Sequence, residues 1–206
     1  MSEFEIIEQD PGDSKQNKDK YRKVLDGFLA LVEPLIISGL LAIFAWLFIA
    51  TPHEVDGSSM EPNFHDTSFV VALKLAYKFK TPQRGDVIIF KRSETRDFIK
   101  RVIGLPGETI SIKECGVYIN GTKLDESDYL ASDVCTYTGI FQYLLDDGQE
   151  YIIPEDSYIV LGDNRQGSTD SRDFGAIEIS RIKGRAFFVI SSGEGKKMFI
   201  VPREEY

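Results

Sequence analysis

The chain has 206 residues, a formal net charge of −9 and 42% hydrophobic residues. That is enough apolar material for one packed domain with extra segments, and it excludes wholesale disorder. The acidic balance provides no basic stripe of the kind phosphate backbones demand, so no nucleic-acid partner is expected.

In chain order, residues 1–27 come first. Met1 to Asn17 is polar and expected to lack fixed structure, and Lys15, Lys18, Lys20, Arg22 and Lys23 cluster around its end. Then "PLIISGLLAIFAWLFIA", from Pro34 to Ala50, runs for 17 residues without a charge. Extended back to Phe28, the helix is about 34 Å long at roughly 1.5 Å per residue, enough to span a bilayer. Glu33 near its start has to lie close to the interface or pair. Only Ser38 and Gly39 interrupt the apolar run, so a soluble helix with one polar face is a poor description of it. Lysines and arginines precede the span, and none follows before Lys74. The N-terminus is therefore expected in the cytoplasm and residues 51–206 outside it. A span this far from the start, at 28–50, reads as a retained anchor and not as a cleaved leader.

From Thr51 onward the pattern is that of strands. "TSFVVALKLAY" (67–77), "DVIIFK" (86–91), "FIKRVIG" (98–104), "TISIK" (109–113), "VYINGTKL" (117–124), "SYIVLGD" (157–163) and "RAFFVI" (185–190) are β-branched and aromatic, with Gly, Pro and Asp between them. Asn120-Gly121 is a two-residue hairpin signal, and "RGD" at 84–86 reads as a turn entering a strand. The outer domain is thus expected to be mainly antiparallel β. Asp125 to Asp147 is the least regular stretch and reads as a loop or small excursion, with a turn at Asp147-Gly148. Cys115 and Cys135 are the only cysteines. In an oxidising compartment they either form one bridge or remain two thiols, and neither falls within a catalytic motif. No Cys or His spacing suggests a metal, and no cofactor is expected.

Three segments carry candidate chemistry. In "DGSSM" (56–60), Ser59 lies nine residues past Ala50. At about 3.6 Å per residue it is at most roughly 32 Å from the end of the anchor. Gly57 permits positive φ or a close approach, and Met60 and Pro62 stiffen the turn. A serine nucleophile needs a base. His53 and His65 stand six residues to either side of Ser59, but no evident strand-held carboxylate orients them, and a loop histidine is more often simply solvated. Lys100 in "FIKRVIGLPGE" sits in an apolar strand and shares its face with Phe98 and Val102. Burial there disfavours its charge and makes it a base. The competing reading is an edge lysine that guards the sheet against aggregation. Arg101, on the other face, reads as an ordinary solvated neighbour. Finally, "GDNRQGSTDSRDFG" (162–175) packs acids, amides and hydroxyls behind an apolar strand, the density of a hydrogen-bonded network. In it Ser168 would orient the lysine amine, and Asp170 and Arg172 would pair to hold the loop.

"DGSSMEP", "RGDVIIF", "FIKRVIGLPGE" and "GDNRQGSTDSRDFG" follow one another in the order found in bacterial type I signal peptidases. The chain resembles that family from the anchor to about Gly175. The resemblance implies an antiparallel β-sheet peptidase domain with one N-terminal transmembrane helix. It implies Ser59 as nucleophile, Lys100 as general base, and Ser168, Asp170 and Arg172 as supports. It also implies that Val55, Met60, Phe64, Phe98 and Ile99 line shallow apolar substrate pockets, although such residues serve equally well as core. Relatives with two serines around a glycine use the earlier hydroxyl in the oxyanion hole. Here that position is Gly57, which leaves the backbone N–H of Ser59 as the donor. Lysine at position 100 sides with the bacterial branch against the endoplasmic-reticulum and archaeal one, which carries histidine, and the single anchor resembles the short Gram-positive form. On this resemblance the chain removes signal peptides from exported preproteins, cutting after small residues, with the substrate bound as an added strand. Its expected partners are those signal peptides, the lipid bilayer and the protein-export machinery. Two rival readings are a self-cleaving Ser/Lys repressor-type protein, which would carry a DNA-binding domain where this chain has an anchor, and an anchored β-domain that binds exported chains without cutting them.

Overall fold

The computed structural model describes residues 11–138, 148–192 and 197–202. It divides into two units, between Leu47 and Phe48. The described part of the first unit is helical, in α1, Pro11–Phe48, whose last residue falls just past the division. The helix therefore begins well before Phe28 and takes in much of the segment expected to lack structure, while residues 1–10 lie outside the described residues. Among the described residues its Lys20–Phe44 stretch is long and apolar enough to cross a membrane. Leu31, Leu35, Leu40 and Leu41 are all exposed on it. A helix with large apolar side chains exposed along its length suits lipid better than water.

The second unit is built from β1 (Ala50–Glu54), β2 (Phe69–Leu73), β3 (Val87–Lys91), β4 (Asp97–Gly104), β5 (Thr109–Lys113), β6 (Gly116–Ile119), β7 (Thr122–Lys123), β8 (Tyr151–Ile152), β9 (Ser157–Leu161), β10 (Ile177–Glu178), β11 (Ile182–Ile190) and β12 (Met198–Ile200), with one helical turn, α2 (Ser171–Phe174). The larger sheet runs β1-β2-β11-β3-β4-β9-β10 with β12 beside β11, and the smaller runs β7-β6-β5-β8. All the pairings are antiparallel. The mainly antiparallel β expectation is borne out, and each stretch read as strand contains one. The first is shorter than expected, because residues Lys74–Tyr77 close into a 3-10 turn. At the β6–β7 hairpin, Asn120 and Gly121 both have positive φ, 51° and 79°. That is the type I′ geometry whose twist matches paired strands. The two cysteines form a disulfide.

β3 explains the centre of the large sheet. Its run Val87-Ile88-Ile89-Phe90 is buried on both faces. Val87 and Ile89 join a core with Val55, Met60, Phe64, Val70 and Ile99. Ile88 and Phe90 join a second with Phe98, Val102, Tyr158 and Phe174. β4 pairs with β3 so that Lys100 lies opposite Ile88 and Ile99 opposite Ile89. On its other side β4 meets β9 from Arg101 onward, so the edge formed by residues 97–100 is left outside that ladder. This edge and the turn after β1 bound the site.

Candidate active site

Ser59 sits in the turn that follows β1. Gly57 leads into it at φ 94°, with its N–H donated to Asp66 Oδ1 at 2.7 Å. A Cβ added at Gly57 would meet nothing within 4 Å, so the backbone conformation and not crowding selects glycine. A hydroxyl-bearing residue would be strained here, which gives a physical reason for the missing serine.

Lys100 Nζ donates to Ser59 Oγ at 2.7 Å and to the Ile99 carbonyl at 2.9 Å. The lysine is 3% exposed, with the centre of the Phe98 ring 5.1 Å from its Nζ and Ile88 opposite it on β3. This excludes the edge-guard reading. Burial pulls its pKa down from 10.5 to about 8, against the upward pull of Asp170 and Asp163, with Arg172 adding to the fall. At such a value roughly one amine in ten is neutral near pH 7, compared with about one in three thousand for an ordinary lysine.

The 162–175 loop is fastened within itself and to the turn that carries Ser59. Asp170 caps α2, and Arg172 grips it with Nε on Oδ1 and Nη2 on Oδ2, both at 2.8 Å. Asp170 Oδ2 also accepts from the Gly162 N–H at 3.0 Å. The expected Asp170–Arg172 pairing is thus present. Asn164 reaches the nucleophile turn twice, from its N–H to the Ser59 carbonyl and from Nδ2 to the Ser58 carbonyl, each at 3.1 Å. Gly162 packs so closely that a Cβ would overlap the Ser59 carbonyl and the Ser168 hydroxyl.

Three expectations are corrected. Ser168 makes no hydrogen bond to the lysine amine in this structure, where its hydroxyl is buried with no partner among the described residues, while the amine is bonded to Ser59 and Ile99. Arg101 is not a solvated neighbour. It is buried, with Nε and Nη2 on the two oxygens of Asp163 at 2.8 and 2.7 Å and its guanidinium 4.0 Å over the Tyr129 ring. And His53 does have a strand-held carboxylate: its Nδ1 lies 3.7 Å from Asp97 Oδ2, an oxygen that Lys183 Nζ also binds at 2.7 Å. The Ser59 hydroxyl is nevertheless bonded to Lys100, and His65 lies beside Glu61 at 4.0 Å.

Between the β1 turn and the edge of β4 lies a cleft of about 370 Å³, with Ser59 and Lys100 in its wall. Val55, Phe98 and Ile99 line it, together with Val70 and Thr169. Met60 and Phe64 are buried in the core that includes Val55 and do not line the cleft. Sequence reasoning passed over Asn164, Asp163 and Gly162. All three lie in the quoted loop motif, where polar residues before its first arginine, Arg165, are the one available hint.

A profile described as signal peptidase, peptidase S26, matches residues 28–191. The chain belongs to that family. It is 36% identical over 160 residues to signal peptidase I of Bacillus licheniformis, covering 77% of this chain and 86% of the relative. To signal peptidase IB of Staphylococcus aureus (strain Mu50 / ATCC 700699) it is 36% identical over 156 residues, 68% of this chain and 78% of the relative. A crystal structure of a signal peptidase I from Enterococcus faecalis V583 shares 37% identity and covers 52% of this chain and 97% of that chain, with a TM-score of 0.40. Membership of the S26 signal peptidase family bears out the expectation of a serine peptidase, against the reading of a non-catalytic binding domain.

Proposed function

We propose that the chain is a membrane-anchored serine endopeptidase that removes signal peptides from exported preproteins with a Ser59/Lys100 dyad. The observation that carries this is the 2.7 Å hydrogen bond between the Ser59 hydroxyl and a buried amine whose pKa is lowered to about 8. In the productive state the neutral Lys100 amine takes the Ser59 proton as Oγ attacks the scissile carbonyl, and the Ser59 N–H faces the developing oxyanion. The resulting ammonium gives its proton to the departing amine of the mature chain, leaving an acyl-enzyme. A water then attacks the ester, losing a proton to Lys100, and the signal peptide leaves as a carboxylic acid.

The substrate lies extended along the cleft, against the free edge of β4 and the β1 turn. Val55, Phe98 and Ile99 present shallow apolar contacts suited to small side chains, and Met60 and Phe64 back them from the core. Asp170 and Arg172 hold the loop, and the unpartnered Ser168 hydroxyl is the spare group for the ammonium during turnover. The basic flank before the span orients the N-terminus to the cytoplasm and the peptidase domain outside, with the bilayer and the export machinery as partners.

The test incubates the detergent-solubilised full chain, and its Ser59→Ala form, with a labelled preprotein and weighs the products. One cut after a small residue, absent in Ser59→Ala, is expected. Undiminished cutting by a folded Ser59→Ala protein would sink the dyad.

A further inference from the structure

The irregular stretch after β7 is fixed more firmly than its sequence suggests. The Cys115–Cys135 disulfide ties it to the turn between β5 and β6, where the Thr136 N–H also donates to the Cys115 carbonyl at 3.1 Å. From this tied strip Glu126 and Thr136 grip one side chain of the loop at the active site, Arg165. Its Nη2 donates to Glu126 Oε1 at 2.5 Å and its Nη1 to Oε2 at 3.0 Å, and Nη1 also donates to Thr136 Oγ1. Arg165 is 3% exposed, and its Nε donates to the Gly162 carbonyl at 3.0 Å. Burial works against its charge, and Glu126 overcomes this, so its pKa is raised. The Tyr137 carbonyl accepts from Arg172 Nη1 at 3.1 Å. The residue before Arg165 is Asn164, whose two donors hold the Ser58 and Ser59 carbonyls. Contacts thus run unbroken from the disulfide to the backbone of the nucleophile.

We propose that Glu126 and Thr136 are positioning residues for Ser59, acting through Arg165 and Asn164, and that the Cys115–Cys135 disulfide holds the strip that presents them. This rests on the Ser59/Lys100 reading above. Proton transfer across a 2.7 Å contact tolerates little displacement, since a misplacement of about 1 Å costs roughly a hundredfold in rate. A strip that fixes the height of the Ser58–Ser59 turn therefore governs catalysis without touching substrate. The irregular composition of residues 125–138 carries no hint of this, because Glu126 and Arg165 are 39 residues apart.

The experiment uses the detergent-solubilised full chain with the labelled preprotein and compares wild type with Thr136→Val, Thr136→Ser, Glu126→Gln and the Cys115→Ser/Cys135→Ser pair. Each is assayed for kcat, KM, the pH of the rising limb and Tm, at temperatures where it is folded. Thr136→Val, Glu126→Gln and the cysteine pair are expected to lose about ten- to a hundredfold in kcat with KM within about twofold. Their limb moves to higher pH, as the withdrawn turn admits water to Lys100. Thr136→Ser, which keeps the hydroxyl, stays within about twofold of wild type. Should Glu126→Gln fail to fold, Thr136→Val and the cysteine pair carry the test. A lowered Tm with kcat and limb unchanged would overturn the proposal, leaving the strip a purely structural brace. Failure of the wild type itself to cut the preprotein would defeat the underlying dyad reading and this proposal together.

Discussion

Replacing Lys100 by methionine, which keeps the length of the side chain and removes its charge, is expected to abolish cleavage and make the fold more stable. Burial brings the amine from 10.5 to about 8, a difference worth roughly 3 kcal/mol at about 1.4 kcal/mol per tenfold. The unfolded chain keeps the ordinary value. Between about 8 and 10.5 it binds a proton that the folded chain has released, so the stability of the wild type rises with pH across that window. Below about 8 both states are protonated and the whole cost of the buried cation is present. Lys100→Met removes this cost but leaves the Ser59 hydroxyl and Ile99 carbonyl without their donor, which takes back about 1 kcal/mol. The variant should therefore exceed the wild type by about 2 kcal/mol near neutral pH, and above about 8 the excess should shrink, pass through zero before 10.5 and become a deficit of about 1 kcal/mol there. Denaturant unfolding of the solubilised chain, followed by near-ultraviolet circular dichroism of its tyrosines, reads this directly. The single tryptophan, Trp46, lies in α1. Taking the difference between the two proteins at each pH cancels the titration of all other groups. A variant less stable than wild type near neutral pH, or an excess that does not narrow with rising pH, refutes the reasoning.

Gly162→Ala would drive a methyl into the Ser59 carbonyl; a loss of about 1–3 kcal/mol and a fall in kcat of roughly a hundredfold are expected, and a folded variant with wild-type kcat would show that the turn can yield. Ser168→Ala removes a buried hydroxyl without a partner, so Tm should rise, by the equivalent of up to about 1 kcal/mol, while kcat falls. An unchanged kcat rejects its place in turnover, and a lowered Tm rejects the unpartnered state. Asp163→Asn leaves the Arg101 guanidinium buried without its carboxylate and should cost about 3–5 kcal/mol in denaturant unfolding. A loss under about 1 kcal/mol would mean that Arg101 finds water instead.

The sequence makes β3 readable because a strand buried on both faces is a continuous apolar run, and β4 because β-branched and aromatic residues flank its two charges. Lys100 stands out as one of two adjacent charges, with Arg101, set between Phe98-Ile99 and Val102-Ile103. Arg101 carried the same local signal and was misread, because what decides its burial is Asp163, 62 residues further on. β1 was missed since Pro52, His53 and Glu54 have no strand propensity, yet each pairs with β2 at Val71, Val70 and Phe69. Backbone groups beside a formed strand need partners whatever side chains they carry. The polar density of the 162–175 loop was legible as a network. Its wiring was not, because a hydroxyl such as that of Ser168 gains or loses a partner over a fraction of an ångström. Met60 and Phe64 carried no mark that would place them behind the cleft and not on it, since core and pocket wall draw on the same apolar residues.

Lys100 has two acceptors, the Ser59 hydroxyl and the Ile99 carbonyl. In the proposed cycle, acylation converts the first into an ester oxygen, a much weaker acceptor, just as the lysine has become a cation. A buried ammonium whose Ser59 acceptor has weakened holds its proton less firmly. Making the acyl-enzyme therefore pushes the proton towards the departing amine and leaves a neutral base facing the incoming water, so that each half-reaction resets the dyad for the next with no moving part. The same arithmetic names a way to stall the enzyme: a compound that acylates Ser59 while offering Lys100 an acceptor of its own would keep the cation in place and leave the ester unhydrolysed.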